Sequence, residues 1–247
     1  MAYRITRRGL LSSSALAGSL LALKPLASQA RTISGEVPWQ AGTADAPEPI
    51  AQGPYHFFTA DEAAFIDAAV SRLIPADDLG PGAKEAGVTV FLDRQLAGTY
   101  GNAEKWYMQG PWAEGTNTQG YQTRLSPAQL YRGAIKAIDD HCRSTAGGTI
   151  FSQLTAEQQD QVLGDLEEGK ISLGSISAAS FFDFFLQNTL EGFFSDPIYG
   201  GNRDMVGWKL IGFPGARYDY RPYVSKHNQK LDLQPVGLKG RPGWKPA

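Results

Sequence analysis

The sequence predicts a mainly α protein: a single helical domain with long loops, carried between extended N- and C-terminal arms. Three observations support this. Helix-start signals of the Ser/Thr-x-x-Glu/Gln kind recur along the chain, apolar residues follow them at three- and four-residue spacing, and alternating strand patterns are scarce. The division that results is 1–30 as a leader, 31–55 as a linker or arm, 56–224 as the helical domain and 225–247 as a tail.

The arm at 31–55 carries Pro38, Pro47, Pro49 and Pro54 with Gly35, Gly42 and Gly53, and shows no apolar period. Order begins at Phe57-Phe58-Thr59. Thr59 is an N-cap and Glu62 can reach back to complete a capping box. Phe65, Ile66, Ala69, Val70, Leu73 and Ile74 follow at helical spacing until Pro75 stops the run. A second helix is predicted over Ala83–Leu96, with Val88, Phe91, Leu92, Gln95 and Leu96 on or beside one face. Residues 97–125 read as a loop-rich insert bearing Tyr100, Trp106, Tyr107, Trp112 and Tyr121 among glycines.

Ser126-Pro127-Ala128-Gln129 combines a cap, a proline at the first helical position and a box-closing glutamine. Leu130, Ala134, Ile135 and Ile138 carry that helix towards Cys142. Thr155-Ala156-Glu157-Gln158 repeats the signal ahead of Val162, Leu163 and Leu166. The most apolar helix runs from Ser177 to Glu191 and holds Phe181, Phe182, Phe184, Phe185, Leu186 and Leu190. Apolar residues on more than one face place it at the centre of the fold or against a second protein.

The leader sets Thr6-Arg7-Arg8-Gly9-Leu10-Leu11 before an apolar run that reaches Leu23, and Lys24-Pro25 breaks it. Small residues then lead to Ser28-Gln29-Ala30, a small-x-small cleavage pattern. Arg7 and Arg8 thus read as a twin-arginine export signal, with an ordinary secretory leader as the alternative, and the expected location is the periplasm. The run is too short and too diluted by serine and glycine to read as a membrane span.

Cleavage after Ala30 would remove Arg4, Arg7, Arg8 and Lys24 but no acid, moving the formal charge from −2 to −6. That balance argues against a nucleic-acid partner. The rest of the chain is long enough to bury about 70% of its unfolded surface without covalent staples. Cys142 stands alone, so no intrachain disulfide forms. Its two readings are a small buried hydrophobe on a helix, or a reactive thiol that could link to a partner.

Motifs that carry chemistry are scarce. Gly164 to Lys170 has the glycine and lysine spacing of a phosphate loop, but Ile171 stands where the magnesium-binding hydroxyl belongs, and a helix precedes the match. No Gly-x-Gly-x-x-Gly run opens a helix, and no Gly-x-Ser-x-Gly elbow occurs. His56, His141 and His227 lie far apart, and no ligand set surrounds His141 at one-turn spacing. One cysteine supplies neither a Cys-x-x-Cys-His haem attachment nor the thiolates of an iron–sulfur cluster. Asp61-Glu62 favours a helix start, Asp77-Asp78 sits in a turn, and Glu167-Glu168 reads as a solvated helix end. No catalytic, cofactor-binding or metal-binding residue is assigned.

The stretch from Glu191 to Gly215 is the longest distinctive motif. It reads Glu191-Gly192-Phe193-Phe194-Ser195-Asp196-Pro197-Ile198-Tyr199-Gly200-Gly201-Asn202-Arg203, then Asp204-Met205-Val206-Gly207-Trp208-Lys209-Leu210-Ile211-Gly212-Phe213-Pro214-Gly215. With the opening run Phe57–Pro75, Gly80-Pro81-Gly82-Ala83 and Gly87-Val88, it resembles the gluconate 2-dehydrogenase subunit 3 family over about residues 56–224.

The resemblance implies a small subunit of a membrane-associated dehydrogenase acting on gluconate or a similar sugar. Its partners would be a large FAD-binding subunit and a multihaem cytochrome c passing electrons towards quinone. FAD and haem c, with an iron–sulfur centre as a further option, would reside in those partners, and this subunit would assist folding and export. The twin-arginine route carries folded proteins, so a leader on a chain without cofactor motifs suits a subunit that brings a cofactor-bearing partner with it. The alternative is an independent periplasmic enzyme with an unrecognised site.

Pro197 and Gly200-Gly201-Asn202 predict a tight turn after the aromatic helix. Two readings stay open for it. In one it is a buried corner. In the other, Phe193, Phe194, Tyr199, Arg203 and Trp208 form a partner interface, since aromatics and arginine are enriched among interface anchors. The tail from Ser225 carries Lys226, Lys230, Lys239, Arg241 and Lys245 against Asp232 alone. It is either disordered or an extended arm for an acidic partner.

Overall fold

The computed structural model describes residues 53–238 except 114, 117, 218, 219 and 232. Arg7, Arg8 and the rest of the predicted leader lie outside the described residues.

Among the described residues six helices form: α1 (Ala60–Leu73), α2 (Val88–Ala97), α3 (Pro127–Thr145), α4 (Ala156–Glu167), α5 (Ala178–Phe194) and α6 (Val206–Ile211), of which α1, α3, α4 and α5 start at a side-chain cap. Short 3-10 turns occupy 151–153, 197–199, 203–205 and 221–223. Among the described residues no strand forms, and β pairing is limited to isolated bridges. The three predicted capping boxes are realised, with Thr59, Ser126 and Thr155 each exchanging hydrogen bonds with the residue three positions on. Among the described residues no helix is long and apolar enough to cross a membrane.

The aromatic helix α5 is central: it packs against each of the other five helices. Phe181, Phe185 and Phe193 on α5 are buried with Phe65 of α1, Tyr131 of α3 and Phe151. Phe65 meets Phe151 at a ring separation of 4.7 Å, and Tyr131 meets Phe181 edge-on at 5.7 Å, within the range aromatic pairs favour. Helices α2 and α5 cross closely at Gly192, where a Cβ would come within 2.7 Å of the Phe91 ring.

Two element boundaries differ from the sequence reading. Helix α2 begins at Val88 rather than Ala83, because Gly87 takes a left-handed φ of +81° and ends a run of turns over the preceding residues. Helix α5 continues to Phe194 rather than stopping at Glu191, so Phe193 and Phe194 belong to its last turn.

The insert after α2 is tied down by rings. Tyr100, Trp106, Tyr121 and Phe184 of α5 form a chain with separations of 5.6, 4.9 and 5.1 Å. The hydroxyls of Tyr100 and Tyr131 both donate to Asn188 Oδ1, at 3.1 and 3.0 Å. Burial pushes the Tyr100 hydroxyl up to about 12 and the Tyr131 hydroxyl well above its usual value, so both stay protonated donors. Cys142 is fully buried on α3, and burial raises its thiol to about 11, which fits the reading as a small hydrophobe.

The chain enters the domain through one carboxylate. Asp93 of α2 is fully buried and accepts the backbone N–H groups of His56, Phe57 and Phe58 at 2.8, 2.8 and 2.9 Å. Its charge is paired with Arg94, whose guanidinium also donates to Pro54 O. From α3, Arg132 donates to Phe57 O at 2.6 Å and to both oxygens of Glu62, with its guanidinium 4.3 Å from the Phe57 ring centroid.

Replacing Asp93 with Ala leaves three backbone donors and Arg94 without their acceptor. Removing one partner of a buried charged pair costs about 3–5 kcal/mol. Chemical denaturation of Asp93→Ala should therefore show a loss of that size, and Asp93→Asn a smaller one, because the amide keeps an acceptor oxygen.

Candidate functional site

Beyond α5 the chain makes a corner whose geometry is set by glycines and one buried amide. Ser195 caps α5, and its hydroxyl donates to Gly192 O at 3.1 Å. Asp196 and Pro197 then start a 3-10 turn, with Asp196 Oδ1 accepting from Ile198 N at 3.0 Å. Gly200 takes φ +95°. Gly201 lies so close to α5 that a Cβ would stand 2.1 Å from Gly192 O, a contact only glycine avoids.

Asn202 follows, fully buried and left-handed at φ +44°. Its amide nitrogen donates to Ser195 O and its carbonyl accepts from Gly207 N, both at 2.8 Å. One side chain therefore joins the end of α5 to the start of α6. Asp204 and Met205 are also left-handed, at φ +56° and +59°. Three such non-glycine residues within four positions make this a strained segment.

The corner is locked on two further sides. Arg203 N donates to Ala86 O at 2.9 Å, and Gly87 leaves room for Gly200 O, which a Cβ would approach to 2.8 Å. Gly207 sits against Phe193 O, and the Trp208 ring N–H donates to Phe194 O at 2.7 Å. The described part of the tail also returns here. Val236 bridges to Gly215, Arg217 donates to Gln234 O at 2.6 Å, and Leu238 N donates to Asp196 Oδ2 at 2.8 Å. Residues 234–238 thus strap the corner of their own chain.

Placement separates the five predicted interface residues. Phe193 and Trp208 are buried, at 2% and 6% exposure, and act within the fold. Phe194 is half-buried and stacks edge-on against Phe193. Tyr199 and Arg203 are exposed. The sequence reading missed a second group: Leu210, Ile211 and Phe213 are exposed around the end of α6. Nothing in the run Leu210-Ile211-Gly212-Phe213 alternates with polar residues, so the sequence carries no signal for which side faces outward.

Among the described residues no group of three or more histidine, cysteine, aspartate or glutamate side chains could hold a metal ion. Lys170, from the phosphate-loop-like run, pairs with Glu168 and Asp165 just past α4. Asp139, whose carboxyl is raised by burial, serves α3 by accepting Phe151 N at 3.0 Å. The raised hydroxyls of Tyr100, Tyr121 and Tyr131 likewise have partners within the fold, Asn188 Oδ1 for Tyr100 and Tyr131 and Leu125 O for Tyr121.

The family model described as Gluconate 2-dehydrogenase subunit 3 matches residues 60–215, well over half of the chain. The match runs from the first residue of α1 to the glycine that receives the strap. No curated protein and no solved structure matches the chain.

The division between frame and surface predicts how substitutions behave. Trp208→Ala should cost about 3–5 kcal/mol as a buried aromatic truncation. Asn202→Ala leaves buried groups unpaired on both sides, at about 1–3 kcal/mol each. Tyr199→Ala should stay within about 0.5 kcal/mol of wild type. Thermal melts of the three variants check this ordering, at about 2–4 °C per kcal/mol for a chain of this size.

Proposed function

The chain belongs to the gluconate 2-dehydrogenase subunit 3 family, and from that premise we propose that it is the non-catalytic small subunit of a periplasmic, membrane-associated dehydrogenase complex. Its partners in this reading are a large FAD-binding subunit, which oxidises gluconate or a related sugar, and a multihaem cytochrome c, which passes the electrons to quinone. The small subunit helps the flavoprotein fold and takes it through the twin-arginine route on its own leader.

The family match is the observation that carries the proposal, and three features support it. Arg7-Arg8 heads an apolar run with a small-x-small end. The single cysteine cannot supply haem attachment or a cluster, which suits redox centres held in partners. The most distinctive stretch builds a rigid, strained corner with exposed aromatic and aliphatic side chains, a form suited to docking rather than turnover.

The leader provides the test. Replacing Arg7 and Arg8 together with lysine should strand both this chain and the flavoprotein in the cytoplasm, measured by fractionation and sugar-dependent dye reduction. Dehydrogenase activity reaching the periplasm undiminished in the double variant would show that the flavoprotein travels without this subunit.

A further inference from the structure

The tail is seated on the corner through its backbone. Val236 N donates to Pro214 O at 3.2 Å, and Val236 O accepts from Ala216 N at 2.6 Å. Arg217 Nη2 donates to Gln234 O at 2.6 Å, and Leu238 N donates to Asp196 Oδ2 at 2.8 Å. Each of these bonds uses a peptide group of the strap rather than a strap side chain.

Both sides of the contact are shaped for close backbone approach. Gly215 takes φ +81°, and a Cβ there would stand 2.2 Å from Val236 O. Within the strap, Gly237 is buried where a Cβ would meet both Asp196 oxygens and Met205 Cε at 3.3 Å. The seat thus accepts a carbonyl at position 234, a free peptide N–H and C=O at 236, no Cβ at 237 and an N–H at 238. An extended peptide joins an exposed backbone edge in this way, held by main-chain bonds that specify few side chains.

The strap is also lightly held. It pairs through an isolated bridge, and Leu238 stays 43% exposed. Among the described residues the 3-10 turn at 221–223 is the only helical element between Arg217 and the strap. Arg217 Nε, on the guanidinium that holds Gln234 O, is buried without an acceptor, so this occupant leaves the seat incompletely satisfied. Segments of this kind open at lower free energy than packed helices.

We propose that residues 234–238 are a built-in placeholder for an extended segment of the flavoprotein subunit, which takes the same seat when the two chains assemble. The proposal rests on the small-subunit reading above. The strap is the template for that segment: extended, with glycine at the position of Gly237 and no proline at the positions of Val236 and Leu238. Asp196, Met205, Pro214 and Gly215 lie within residues 60–215, which place the chain in a family of enzyme subunits, whereas the strap lies beyond them. While seated, the strap competes with the partner. Removing a competitor that fills the seat at least about nine-tenths of the time raises apparent affinity at least about tenfold.

The test uses the full chain and its flavoprotein subunit. Leu238→Pro removes the donor to Asp196, and Gly237→Val drives side-chain atoms against Asp196 and Met205, so each unseats the strap without altering the seat. Both variants should bind the flavoprotein at least about tenfold tighter than wild type, with the thermal melt of the free chain unchanged. Adding Gly215→Ala, which closes the seat to any backbone, should abolish that gain. In the free wild-type chain, the amides of Val236 and Leu238 should exchange with solvent well before those of α5.

Strap amides that exchange only with α5, or strap variants that melt lower, would make the strap a fixed part of the fold and overturn the proposal. Flavoprotein affinity that is unchanged or lower in the strap variants would overturn it too, as would a gain that survives Gly215→Ala; both results leave the small-subunit reading intact. Strap variants that dimerise at unchanged flavoprotein affinity would give the seat to a second copy. Absence of flavoprotein binding in wild type and every variant, with strap exchange still fast, would instead sink the small-subunit reading and this proposal with it.

Discussion

The Asn202 side-chain amide sets the course of the chain where it leaves the central helix. Helix α5 touches each of the other five described helices, so the direction in which the chain departs from it decides what can surround the core. Asn202 fixes that direction by accepting from the first turn of α6 and donating to the carbonyl that α5 leaves open. A buried amide with both ends satisfied is worth holding in a left-handed backbone, which asparagine tolerates better than most residues. The close approaches of Gly201 to Gly192 and of Gly207 to Phe193 are consequences of the same packing.

That corner also gathers segments distant in sequence. The turn before α2 contributes Ala86 O and Gly87, and the tail contributes Val236 and Leu238. Asp196 serves two of these at once, capping its own turn with one oxygen and receiving the strap with the other. The Asp93 carboxylate does comparable work at the other end, collecting the backbone of residues 56–58. The entry of the helical core is thus fixed by a buried carboxylate whose acceptor capacity is used, while at the exit, set by Asn202, the half-buried Asp196 accepts two further backbone N–H groups.

The sequence made the helices legible where local chemistry decides them. Thr59, Ser126 and Thr155 carry their own capping partners three residues on, and the apolar spacing behind them has no competing reading. Helix α2 was misplaced at its start because Gly87 responds to a distant carbonyl, that of Gly200, which no local window contains. The corner was legible as a tight turn but not in its detail: Asp204 and Met205 adopt left-handed backbone without being glycine. Aromatic and arginine content could not divide Phe193 and Trp208, which face inward, from Tyr199 and Arg203, which face outward. The strap escaped for a related reason, since a single bridge leaves no period to read.

In the proposed reading a helical core without an assigned catalytic group carries a corner that offers a surface, and the chemistry belongs to the partner. The most direct measurement is made on the complex isolated with both chains. After the subunits are separated under non-denaturing conditions, flavin absorbance and sugar oxidation are followed in each fraction. The expected result is one flavin per complex, with colour and turnover remaining in the large-subunit fraction and this chain colourless and inactive. Flavin or sugar oxidation that stays with this chain alone would contradict it.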